Sequence, residues 1–81
     1  MTFAHDIRCL APIEAIEQAY TERKYIVTKH AVFQICYSQS QMMYSAMRLV
    51  LTDMTLTKRK YEMLTGKEVN ELLEREIVVE D

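Results

Sequence analysis

The sequence predicts an all-α fold, a compact bundle of four to five short helices, with one long central helix as a variant of the same prediction. Residues 28–64 contain neither glycine nor proline. Apolar residues recur there every seven positions, at Ile35, Met42, Leu49, Leu56 and Met63. A second apolar set follows a four–three rhythm on an adjoining helical face, and it contains Phe33, Tyr37, Tyr44, Met47, Leu51, Met54 and Tyr61. Both spacings are typical of helices.

The length of 81 residues predicts a single domain, residues 1–81, with an arm at 1–11 and an acidic tail at 77–81. A helix needs one apolar stripe to pack on a core. The stretch 28–64 is apolar on more than one helical face, and a chain of this size buries only about 60% of its unfolded surface. We therefore expect a second molecule to supply the missing cover, either another copy in a dimer or a different protein.

The two ends of the chain carry the clearest helix signals. Pro12 suits a first helical position, and Ile13, Ile16 and Tyr20 then form one apolar face, which predicts a helix over 12–24. Thr65 and Glu68 have the spacing of a capping box, in which each side chain bonds the other residue's backbone N–H. We expect a last helix from this box to about residue 76.

The middle of the chain contains several expected interruptions. The segment Tyr25-Ile26-Val27 contains two β-branched residues and breaks the helical pattern. The Thr28 hydroxyl is then expected to cap a second helix. The polar run 38–41 predicts a break or kink, because long helices are rare in small domains. The threonines of 52–57 predict another break before a short helix at 58–64.

The residue patterns argue against an enzyme, a metal site, a cofactor and a small-molecule substrate. The histidine and cysteine pairs, His5 with Cys9 and His30 with Cys36, are too few and too widely spaced for structural zinc. With one glycine, the chain has no phosphate-cradling loop. The acidic pairs Glu14/Glu17 and Glu71/Glu74 are expected on helix faces opposite the apolar stripes, where carboxylates are ordinarily solvated.

The expected location is the cytoplasm. The first ten residues lack the continuous apolar segment of a secretory signal. The longest unbroken apolar run has three residues, whereas a membrane span needs about 20. Two cysteines, Cys9 and Cys36, are too few for a disulfide framework and are expected to be reduced.

Charge is distributed unevenly along the chain. Residues 22–60 carry seven basic and two acidic side chains, and residues 61–81 carry two basic and seven acidic. The basic centre either folds against the acidic tail or faces an acidic partner. Its one cluster, Lys58, Arg59 and Lys60, supports an alternative function in which basic side chains contact nucleic-acid phosphates.

The favoured function is non-enzymatic binding to another protein. Five of the six methionines lie between Met42 and Met63, and methionine lines adaptable binding surfaces as well as cores. The predicted contact residues are Tyr37, Met43, Tyr44, Met47, Arg48, Leu51 and Met54. A structural or chaperone-like helical dimer is a further alternative.

One set of residues forms a pattern that spans much of the chain: Tyr44-Ser45-Ala46, Leu51, Asp53, Thr55 and Lys58, and upstream Arg8-Cys9, Ile13-Glu14, Glu17 and Lys24-Tyr25. This pattern resembles the Hha/YmoA family of small bacterial expression modulators. It implies an all-helical, non-enzymatic protein that binds the nucleoid protein H-NS, although the family has an acidic residue where this chain has Arg48. Tyr44, Ser45 and Arg48 are also similar to a pattern in the negative regulators of AraC-type activators. Both resemblances imply a bacterial or phage regulator that modulates or inhibits a transcription-related protein.

Overall fold

The protein has an α+β fold built on one antiparallel sheet, so the predicted all-α helical bundle is wrong. The computed structural model describes residues 11–54, 56, 60–75 and 77–79. In chain order the elements are α1 (Ile13–Thr21), β1 (Tyr25–Thr28), β2 (Ala31–Ser38), β3 (Met43–Asp53), β4 (Tyr61–Leu64), α2 (Gly66–Arg75) and β5 (Ile77–Val79). The strands lie in the order β4-β1-β2-β3-β5, and every neighbouring pair is antiparallel.

The two helices cover opposite faces of the sheet. On the α1 face, Ile16 of the helix packs with Ile26, Phe33 and Ile35 of the strands. On the α2 face, Val69 of the helix packs with the strand residues Val27 and Val32. Adjacent strand residues point to opposite faces, which is why neighbours such as Ile26 and Val27 are both fully buried but belong to different clusters.

This double cover explains why the helical prediction for residues 28–64 fails. The stretch is apolar on more than one face, as the sequence indicates, but α1 and α2 of the same chain supply much of the cover. A strand buried on both faces loses the strict apolar–polar alternation that identifies most strands. The seven-residue spacing then arises by coincidence: Ile35 lies in β2, Met42 in a turn and Met63 in β4.

Two turns replace the predicted helix boundaries. The Thr28 hydroxyl, expected to cap a helix, instead accepts hydrogen bonds from the backbone N–H groups of His30 (3.3 Å) and Ala31 (3.2 Å) in the β1–β2 turn. The break expected at 38–41 is the β2–β3 turn, in which the Gln41 N–H donates to the Ser38 hydroxyl. Met42 completes that turn with a φ of 53°, in the left-handed region.

β3 contains a β-bulge and a buried threonine. Val32 pairs with Val50 and Phe33 pairs with Arg48, so Leu49 is an extra residue with no partner on β2. Thr52 is buried, and its hydroxyl donates to the Lys29 carbonyl at 3.4 Å. Thr52 therefore stabilises the β1–β2 turn from within a strand and does not interrupt a helix.

The two terminal helices are confirmed, with shorter boundaries than predicted. α1 buries Ala15, Ile16 and Ala19, whereas Ile13 and Tyr20 are exposed. The capping box at α2 is present: the Glu68 N–H donates to the Thr65 hydroxyl at 3.2 Å, and the Thr65 N–H donates to the Glu68 carboxylate at 3.1 Å. The short helix predicted over 58–64 is wrong, because residues 61–64 form β4.

The chain ends differ from their predicted roles where the structure describes them. Of the tail at 77–81, residues 77–79 form β5, which pairs with Leu51–Asp53 of the same chain. Of the arm at 1–11, only Ala11 is described, and it belongs to the core on the α1 face. No helix within the described ranges is long and apolar enough to cross a membrane. The all-helical fold that the Hha/YmoA resemblance implies is not the fold of this chain.

Candidate protein-binding surface

The β2–β3 hairpin carries no charged residue before Arg48, and its other charged residue, Asp53, ends β3. Charged residues make up 27% of the sequence, yet the seventeen residues from Ala31 to Met47 contain none. The hairpin turn carries the most exposed large apolar side chain among the described residues, Met42, at 78% exposure. Part of this run is buried core, but its exposed residues, Gln34, Tyr37 and 39–43, also carry no charge. An exposed uncharged surface that includes large apolar side chains is a candidate for contact with another molecule.

Two predicted contact residues, Met43 and Met47, lie in one row with Leu49 on the α2 face. Met43 and Met47 share this face because they lie four apart on one strand. Leu49 lines a groove with α2 residues and therefore extends the row toward that helix. Met43 and Leu49 are 51% and 42% exposed, and Met47 is partly exposed. We call Met43, Met47 and Leu49 the methionine strip.

A groove lies where the methionine strip meets α2. Its volume is about 210 Å³, and it is lined by Tyr25, Val32, Leu49, Val50, Gly66, Val69, Asn70 and Leu73. The helix side of the groove includes Gly66, whose missing side chain leaves the Tyr25 ring 3.6 Å from the position that a Cβ would take. The groove can accept an apolar side chain from a segment docked on the strip.

The two predicted tyrosines lie on the opposite face, in a cluster with Tyr20 of α1. Tyr37 and Tyr44 are directly paired across β2 and β3, with ring centroids 4.9 Å apart, and the Tyr20 ring lies 6.2 Å and 5.6 Å from them. Desolvation among these rings, followed by the negative charge of Glu17, raises the pKa of Tyr44. These tyrosines already hold α1 against the hairpin, so the structure separates them from Met43 and Met47.

The other predicted contact residues occupy three further positions. Arg48 is exposed and lies opposite Phe33 in the sheet register. Leu51 is partly buried and packs against the core on the α1 face. Met54 is only 3% exposed and belongs to the core on the α2 face. A partner that docks on the folded chain cannot use Met54 as a main contact.

The basic cluster is described only in part. Lys60 is exposed directly before β4, and Lys58 and Arg59 lie outside the described residues. The larger of the two described grooves, about 590 Å³, contains Arg23 and Lys24 at the start of β1. The Lys24 ammonium is 3.0 Å from the Glu22 carboxylate, which partly neutralises this groove and lowers the pKa of Glu22.

The candidate metal ligands do not come together where the structure describes them. His30 is exposed in the β1–β2 turn, and Cys36 is a free, partly buried thiol in β2. His5 and Cys9 lie outside the described ranges. Within those ranges, no group of three or more histidine, cysteine or acidic side chains is placed to hold a metal ion.

The contact residues predicted from the sequence include Met43 and Met47 but not Leu49, which lies in the same row. The bulge that brings Leu49 beside α2 has no sequence signature here, whereas the uncharged run from 31 to 47 was a signal that could have located the hairpin. Comparison of the chain with protein-family models, curated proteins and solved structures gives no match. The function must therefore be inferred from the surface itself.

Proposed function

We propose that this chain is a non-enzymatic binding module that docks an apolar segment of another protein on the methionine strip and so modulates or inhibits that protein. The observation that carries the proposal is the row of exposed Met43, partly exposed Met47 and exposed Leu49 on one face of β3. Large exposed apolar side chains grouped on one face are typical of protein-binding sites.

The chemistry of the strip favours a segment with apolar side chains. Methionine is flexible and polarizable, so it adapts to partners of different shape. The neighbouring groove between β3 and α2 offers a defined position for one anchoring side chain. Interfaces of this type concentrate their binding energy in a few apolar anchors surrounded by contacts that exclude water.

The absence of charge from Ala31 to Met47 separates this proposal from nucleic-acid binding. A protein that contacts phosphates loses affinity steeply as salt rises, because binding releases counterions. Docking on an uncharged apolar strip depends only weakly on salt. We further propose a cytoplasmic setting, since Cys36 is a free thiol and reduced cysteines are usual there.

The test is affinity capture with three baits: the wild type and two variants that each carry a single substitution. The baits are the wild-type chain, Met47→Asp on the methionine strip, and Ile13→Asp on α1. Ile13 is 44% exposed, so the control adds the same charge to another apolar surface position. Circular dichroism and thermal unfolding establish that all three baits are folded. The cell lysate from which the partner is captured is treated with nuclease beforehand.

The proposal predicts one stoichiometric protein that the wild type and Ile13→Asp retain at moderate salt and that Met47→Asp loses. Capture that is equal for all three folded baits would place binding elsewhere. Capture that disappears with nuclease or with a modest rise in salt would instead favour the basic cluster around Lys60.

A further inference from the structure

Among the described residues, no strand lies beside the outer edge of β3 over most of its length. β5 pairs only with Leu51–Asp53, so residues 43–50 have no strand beside them in the described part of the sheet. An edge strand of this kind presents unpaired backbone N–H and C=O groups that can pair with another chain. The edge is formed by the backbone of β3, whereas the methionine strip is formed by side chains of the same strand.

This edge has little protection against pairing. Natural edge strands are commonly short, rich in lysine, interrupted by proline or covered. Residues 43–50 contain neither lysine nor proline, and Arg48 is their one charged residue. The bulge at Leu49 affects one end, whereas the register from Met43 to Arg48 runs without irregularity. Six residues of regular strand are therefore available.

The edge is complementary to itself in the antiparallel direction. Two copies of β3 related by a twofold axis at Ala46 place Arg48 of one copy opposite Tyr44 of the other. The same axis places Met43 opposite Leu49, and it places the small side chain of Ala46 opposite its own copy. Apolar pairs and an arginine beside an aromatic ring are favourable. An axis at Arg48 would instead oppose two like charges.

We propose that a second copy of this chain pairs with the outer edge of β3, antiparallel about a twofold axis at Ala46. Each five-stranded sheet thereby joins its copy in one continuous sheet, through an interface in which both copies use the same residues. The axis is perpendicular to the sheet, so the two methionine strips lie on one face of the dimer. This pairing goes beyond the proposed docking and does not depend on it.

The test changes the charges at the opposed positions 43 and 49, both of which are exposed. Met43→Lys with Leu49→Lys puts like charges opposite each other twice. Met43→Glu with Leu49→Lys puts opposite charges there instead. The control, Ile13→Lys with Gln39→Lys, adds two lysines on α1 and in the hairpin turn. Molar mass is measured by light scattering and sedimentation from low micromolar to near-millimolar protein.

The proposal predicts a dimer of twice 9.6 kDa for the wild type and the control. The double-lysine variant is expected to weaken self-association about tenfold or more, and the glutamate–lysine variant to restore it. Restoration also shows that position 49 tolerates lysine in a folded chain. A wild type that stays monomeric at every concentration would overturn the proposal. A dimer that is equally stable in all variants would overturn it as well.

Discussion

At the scale of single residues, Arg23 occupies a backbone conformation that usually belongs to glycine. It follows the end of α1 with a φ of 57°. The Arg23 N–H donates to the Tyr20 carbonyl and the Lys24 N–H donates to the Ala19 carbonyl, which is the hydrogen-bond pattern of a Schellman motif. A side chain in this region is strained, by about 1 kcal/mol or more.

Arg23→Gly is therefore expected to raise the free energy of unfolding by about 0.5–1 kcal/mol, after allowing for the greater freedom of glycine in the unfolded chain. Arg23→Ala is the matched control, because alanine removes the same side chain but keeps the Cβ that causes the strain. Urea unfolding of both variants measures the difference. Equal stability of the two variants would mean that Arg23 is not strained.

Thr65 is the second residue with a measurable effect, because it caps α2. Thr65→Ala removes the hydroxyl that accepts the Glu68 N–H and is expected to lower the free energy of unfolding by about 1 kcal/mol. Thr21→Ala, at an exposed threonine in the last turn of α1, serves as the control and should change stability little. A loss no larger than that of the control would contradict the capping geometry.

Glu68 makes part of the stability depend on pH. Hydrogen bonds from Thr65 hold the pKa of Glu68 below its ordinary value of 4.5. A carboxylate with a lowered folded-state pKa stabilises the fold above the unfolded-state pKa, and this contribution disappears as the pH falls through the folded-state pKa. Glu68→Gln should therefore lose less stability than the wild type as the pH falls from about 5 through the folded-state pKa of Glu68. An identical acid profile for both proteins would contradict this.

At the scale of elements, α1 stabilises the sheet through a narrow buried stripe. Ile16 is completely buried and Ile13, on the same helix, is 44% exposed. Ile16→Val should lower the free energy of unfolding by about 0.5–1.5 kcal/mol, and Ile13→Val should change it little. Chemical unfolding of both variants tests whether α1 packs on the sheet as described. A larger loss at Ile13 than at Ile16 would mean that the helix is rotated.

The sequence predicts the two helices but not the strands between them, for reasons that lie in the elements themselves. Helix signals such as the Thr65–Glu68 capping box are local and depend only on neighbouring residues. Residues 26–27 of β1 and 31–33 of β2 are buried on both faces because α1 and α2 cover them from opposite sides, so they lack the alternation of a typical strand. The turn between β2 and β3 places Met42, not glycine or asparagine, in the left-handed region, so the usual hairpin signal is missing.

The sequence likewise predicts only part of the candidate site. The surplus of methionine predicts a binding surface, and Met43 and Met47 lie on the face of β3 that we propose for this role. A helical pattern, however, groups residues three or four apart, whereas a strand groups residues two apart. For that reason the structure assigns Tyr37 and Tyr44 to the α1 face and Met54 to the core, away from the methionine strip.

At the scale of the whole molecule, the helices cover much of the sheet but leave Met43, Met47 and Leu49 accessible on the α2 face. Residues within the hairpin therefore serve two purposes: Tyr37 and Tyr44 hold α1 in place, while the other face carries the methionine strip. We propose that this second face binds another protein. A covalent cross-link formed from a residue of the methionine strip tests this proposal without assuming the identity of the partner.

The most direct measurement places a photo-reactive amino acid at position 47 and, as a control, at position 13, and identifies the cross-linked products by mass after irradiation in cells. If the methionine strip binds another protein, we expect one major adduct with a different protein from position 47 and none of that adduct from position 13. Adducts that contain only copies of this chain, or the same products from both positions, would contradict it.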